Sequence, residues 1–105
     1  GNQNNIDLAF YGYRIYSIME NGPMDKTKEF KPLEDFIIPP EEYKQDKIMF
    51  MGYLERNLNK RIELNVYNLK TRSFKSVSII PSNEWDKNNS NKSILGGNVR
   101  YENFA

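Results

Sequence analysis

Neither cysteine nor histidine occurs among the 105 residues, and the two absences remove whole classes of chemistry. Without thiols there is no disulfide framework and no thiolate nucleophile, a composition compatible with a reducing compartment. Without imidazole the commonest general base and the commonest zinc ligand are both gone. Surplus charge is missing too. Fifteen basic residues face fourteen acidic ones, for a formal net charge of +1, so no basic field draws in nucleic acid, and the aromatic residues are not interleaved with clustered Lys and Arg. Apolar runs are short, none approaching the ~20 residues of a membrane-spanning helix.

What remains for acid–base work is carboxylates. Glu34-Asp35 lies in a segment that reads as extended, where adjacent side chains point to opposite faces and cannot share a proton. Glu41-Glu42 follows Pro39-Pro40 and reads as the opening of a helical turn, with acidic residues at the positive end of its dipole. Ser90 and Ser93 have no base nearby in the sequence and sit in no nucleophile-elbow pattern. The chain is therefore expected to be no enzyme, and no cofactor is called for.

The length gives one domain with one modest core. Residues 1–11 read as a flexible polar arm and residues 12–105 as the folded unit. Tyr13 to Met19 alternates as a strand and stops at Asn21-Gly22-Pro23. Met24 to Lys31 reads as a short helix ended by Pro32, and Asp35-Phe36-Ile37-Ile38 as a buried strand closed by two prolines. Asp46 to Asn57 is the clearest helix, with Asp46 as N-cap and Ile48, Phe50, Met51, Leu54 and Leu58 at helical spacing. Gly52 interrupts it, at about 1 kcal/mol relative to Ala, which asks for a reason such as close packing or ligand access. Ile62, Leu64 and Val66 alternate with polar residues, and Phe74 to Ile80 returns after a short polar link, as a hairpin does. A polar stretch from Asp86 to Ser93 reads as a surface loop. The final strand, Asn98 to Asn103, brings the count to about five or six strands and two helices, an α+β domain or partly open β-barrel flanked by helices.

The segment Ser93-Ile94-Leu95-Gly96-Gly97-Asn98-Val99-Arg100-Tyr101 joins a polar loop to an apolar-apolar-Gly turn and then to an alternating strand. Such a turn aims backbone N–H groups at one point, and the strand after it offers an edge to an extended peptide. The same run also forms a plain turn into a strand.

Several short motifs stand in a definite order: Tyr13-Arg14-Ile15 with Glu20-Asn21-Gly22-Pro23, Asp35-Phe36-Ile37-Ile38, Val66-Tyr67-Asn68, Ile80-Pro81-Ser82-Asn83-x-Trp85, and Ile94-Leu95-Gly96 with Val99-Arg100-Tyr101. Together they resemble the Golgi reassembly and stacking protein (GRASP) family from about Tyr13 to Phe104. The resemblance implies a PDZ-like domain of permuted strand order, with the groove-lining strand last, closer to the first than to the second of the family's two tandem domains. It implies a peptide groove walled by Ile94, Leu95, Gly96 and Gly97, by Val99, and by a helix bearing Phe50, Tyr53, Leu54 and Asn57. It also implies the partners: the C-terminal tail of a golgin-type coiled coil, or an internal segment of another GRASP molecule, on the cytosolic face of Golgi membranes. Gly97 stands where the family usually carries an apolar residue, which implies a shallower groove floor. The family is anchored by N-myristoylation, for which Gly1 is the candidate, although Asn5 departs from the acylation pattern and a leading Gly also remains after tag removal. A PDZ-like adaptor in secretion or proteolysis, with an unrelated peptide partner, is the alternative.

Overall fold

The structure is a computed structural model, and it describes residues 10–44, 46–87 and 93–105. Residues 1–9 of the expected 1–11 arm, the candidate lipidation site Gly1 and the middle of the 86–93 loop lie outside the described residues. Among those described, five strands form one antiparallel sheet: β1 Tyr11–Ile18, β2 Asp35–Ile38, β3 Ile62–Asn68, β4 Ser73–Ile79 and β5 Gly97–Asn103. A short helix, α1 Pro23–Thr27, follows β1, a 3-10 turn spans Glu41–Tyr43, and α2 Lys47–Arg56 precedes β3. The spatial order is β4-β3-β2-β1-β5, so the first and last strands of the chain lie side by side and β4 and β5 form the two edges. The fold is the open α+β sheet with two helices that the pattern implied, and it agrees with the partly open PDZ-like barrel that the resemblance implied.

Burial follows the period of two read from the sequence. In β3, Ile62, Leu64 and Val66 are buried between exposed Glu63 and Asn65. They meet Val77 and Ile79 of β4, Tyr13 and Ile15 of β1, and Ile37 of β2 in one core that Phe50 and Leu54 of α2 close from above. The opposite face of the sheet carries a separate aromatic group, in which the Phe104 ring lies 5.5 Å from Phe36 and 4.5 Å from Tyr67. That contact fastens the residue after β5 onto the back of β2 and β3.

Several local features differ from expectation for physical reasons. The first helix ends at Thr27, not near Lys31, because Lys28 turns left-handed at φ 57° and its N–H caps the Asp25 carbonyl. The Thr27 hydroxyl donates to Met24 O and accepts from Glu29 N–H, completing the stop. The chain then dives inward at Phe30, which is buried. β1 begins at Tyr11, and Phe104 N–H donates to the Phe10 carbonyl. In α2 the Asp46 cap forms, its carboxylate accepting from Met49 N–H at 3.0 Å. Ile48, expected on the apolar stripe, is 84% exposed. At about 100° per residue it lies about 200° around the helix from Phe50, on the face turned away from the core.

Asp35, at the head of β2, is fully buried. Its carboxylate accepts from Lys31 N–H and from Asn68 Nδ2, each at 2.8 Å, and the Asn68 side-chain oxygen in turn accepts from Thr71 N–H. One buried acid thus ties together the turn before β2 and the β3–β4 hairpin, with its donors supplied.

Candidate functional site

The turn into β5 is bolted down by its carbonyls. Ile94 O accepts from Ser82 N–H, Leu95 O from Met24 N–H and Gly96 O from Met19 N–H, each at 2.9 Å. Three consecutive residues are thereby pinned to three separate segments, while the Ile94 and Leu95 side chains are buried in the core. With the carbonyls committed inward, the amides face the other way. The N–H groups of Gly96 and Gly97 converge on a single oxygen, Ser93 Oγ, at 3.0 and 3.2 Å. The turn is thus a preformed two-donor cradle, and a hydroxyl of the same chain occupies it. Among the described residues, no acceptor takes the N–H of Ile94 or Leu95.

Gly96 makes this geometry possible. Its φ is +77°, and a Cβ there would lie 2.9 Å from both Gly22 Cα and Pro23 Cδ. At Gly97 a Cβ would stand 2.7 Å from Met24 Sδ and 2.8 Å from the Ser17 carbonyl oxygen. The space that an apolar side chain would take at this position is filled by Met24, which is 1% exposed. A flexible thioether from α1 thus lies directly against Gly97.

β5 continues from the cradle as an edge strand. Its register on β1 pairs Ile15 with Val99, Arg14 with Arg100, Tyr13 with Tyr101 and Gly12 with Glu102. Phe104 N–H donates to Phe10 O, and hydrogen-bonded pairs alternate along an antiparallel ladder. The amides of Arg100 and Glu102 therefore face β1, and those of Val99 and Tyr101 point to the open edge. α2 stands beside this strand through its N-terminal end: Lys47 Nζ lies 5.7 Å over the Tyr101 ring, and the Tyr101 hydroxyl donates to the Lys44 carbonyl.

Of the helix residues expected at the groove, Phe50 and Leu54 are 3% and 1% exposed, and Phe50 stacks on Tyr13 at 5.2 Å. Both side chains belong to the buried core. Tyr53 is half-buried against Tyr43 at 5.6 Å, and its carbonyl accepts from Asn57 Nδ2. Val99 is half-buried and packs on the core. Exposed apolar surface on α2 comes instead from Met49 and Met51, 50% and 46% exposed, besides Ile48.

Sequence reasoning missed three participants. Ser93 was legible in principle, because a hydroxyl three and four residues before two glycines can bond their amides. Trp85, whose indole N–H donates to the Ser93 carbonyl at 2.8 Å, stood in the Pro81-Ser82-Asn83-x-Trp85 motif, but nothing in that motif tied it to Ser93. Met24 acts across a long sequence distance, which no local pattern encodes.

No helix among the described residues is long and apolar enough to cross a membrane. Over 95 residues the chain is 28% identical to Golgi reassembly-stacking protein 1 of Mus musculus and, over the same length, to that of Homo sapiens; each alignment takes 89% of this chain and 20% of the relative. The chain thus spans about a fifth of the length of these relatives. A sequence profile of the GRASP55/65 PDZ-like domain matches residues 4–104. With nearly its whole length matched, and with the last strand at the sheet edge behind an apolar-Gly turn, the chain belongs to the GRASP55/65 PDZ-like domain family.

Proposed function

We propose that this domain is a non-catalytic peptide receptor acting in the stacking or tethering of Golgi membranes on their cytosolic face. A guest segment adds as a further strand to β5, with Ile94, Leu95, Gly96, Gly97 and Val99 along its path and Phe50, Tyr53, Leu54 and Asn57 as the supporting helix wall. The guest is the C-terminal tail of a golgin-type coiled coil or an internal segment of a second molecule of the same family. The Golgi setting is drawn from the names of the two relatives. Membrane attachment, in this reading, comes from an acyl group on Gly1 together with a second contact, because one myristoyl chain binds with K of only about 10⁴ M⁻¹.

The observation that carries the reading is the edge position of β5, whose outward amides at Val99 and Tyr101 meet no acceptor among the described residues and lead to a preformed cradle of amides. Main-chain pairing supplies affinity in such an arrangement, and alternate side chains supply choice of guest. Titration of the domain with golgin C-terminal tails, followed by calorimetry and amide shifts, tests it. Saturable binding that moves Gly96, Gly97 and Val99 is expected. Binding that leaves those amides still, or no binding to any tail, overturns it.

A further inference from the structure

We propose that Ser93 is an internal substitute for a ligand carboxylate, so that the groove reads a guest strand without its terminal charge and takes internal segments as readily as free C-termini. The inference rests on the peptide-receptor reading and sharpens it. Every strand pair in the sheet is antiparallel. A guest added to β5 in the same sense runs toward the start of that strand and ends over Gly96 and Gly97. The donors that would meet its last carboxylate are the two amides already held by Ser93 Oγ.

The hydroxyl is fixed from several sides. It donates to the Gly97 carbonyl at 3.2 Å while accepting from both glycine amides, and Trp85 Nε1 holds the Ser93 carbonyl at 2.8 Å. A guest carboxylate must displace this ordered acceptor, so much of what a charge-assisted bond gains over a neutral one is lost in the exchange. A guest whose chain continues past the loop needs nothing from the cradle and meets no penalty there. Removing the hydroxyl leaves two convergent donors, in a half-buried turn, open to an anion.

The test uses one acetylated octapeptide of alternating Val and Thr with a leading Lys, ending in Val, prepared both as the free acid and as the C-terminal amide. Wild type and Ser93→Thr, which keeps the hydroxyl, are expected to bind the two forms within about twofold. Ser93→Ala is expected to prefer the acid by about tenfold. Without peptide, exchange of the Gly96 and Gly97 amides is expected to be at least about tenfold faster in Ser93→Ala than in wild type. Equal binding of both forms by all three proteins overturns the role of Ser93 and leaves the receptor reading standing. A wild-type domain that already prefers the acid tenfold, or unchanged exchange at the two glycines, also overturns it. Failure of every protein to bind either form sinks the receptor reading and this inference with it. Should Ser93→Ala not fold, the acid-to-amide ratio of wild type alone still decides.

Discussion

At Gly96 a single missing methyl group sets the shape of the turn. Substitution by Ala combines a left-handed backbone with contacts of 2.9 Å to Gly22 and Pro23, so Gly96→Ala is expected to destabilise the domain by about 2–4 kcal/mol in denaturant unfolding. A value under about 1 kcal/mol would show that the turn relaxes without it. Tyr13 offers a second residue-scale test. Burial foremost, and then the neighbouring Tyr101 and Asp46, push its phenol from 10.0 up to about 12. The unfolded chain therefore loses this proton first. The stabilisation is fully present below about pH 10 and is lost as pH rises toward 12, amounting to about 2–3 kcal/mol at most. Tyr101 is also raised, chiefly by burial, and adds to the same alkaline loss. Tyr13→Phe is expected to flatten the fall in unfolding free energy over that range while changing little at neutral pH. An unchanged alkaline slope in the variant would contradict the assignment.

Among the elements, α2 separates what its sequence disclosed from what it did not. The cap at Asp46 and the core pair Phe50 and Leu54 were legible because each rests on spacing within one helix turn. The exposure of Ile48 was obscured by its apolar neighbours Met49 and Met51, although the spacing sets it about 200° around the helix from Phe50. Ile48→Glu is accordingly expected to leave stability within about 0.5 kcal/mol, with any gain coming from an acid placed at the helix N-terminus. Gly52 is crowded by nothing but the flexible Arg56 guanidinium, 3.2 Å from a Cβ built there, so close packing does not explain it. Gly52→Ala is expected to stabilise the domain by about 1 kcal/mol, read from the denaturant midpoint; destabilisation would show a packing role. In β5 the alternation and the edge position were foreseeable, whereas the packing of Met24 against Gly97 was not, since that contact joins segments more than seventy residues apart. Val99→Pro removes an outward amide and no ladder bond, the one place in a strand where Pro is tolerated. It is expected to keep the fold, at about 1–2 kcal/mol, and to weaken a strand-adding peptide at least about tenfold.

At the scale of the whole sheet, the described residues guard one edge and not the other. α1 packs against β4, and Lys75 of β4 reaches across to donate to the Glu29 carbonyl at 2.5 Å; a covering helix and an edge lysine are devices that discourage strand addition. β5 has neither on its open side among the described residues, and its outward amides lead directly to the cradle at Gly96 and Gly97. The order of elements, which the resemblance carried, fixes which strand comes last. The difference between the two edges appears only once α1 is folded back over β4. Hydrogen exchange of the β5 amides, with and without a saturating peptide, tests this asymmetry most directly. Strong new protection at Val99 and Tyr101, with Arg100 and Glu102 unchanged because they already pair with β1, is the predicted result. Protection that appears along β4 instead, or binding that leaves Val99 and Tyr101 exchanging as before, would contradict it.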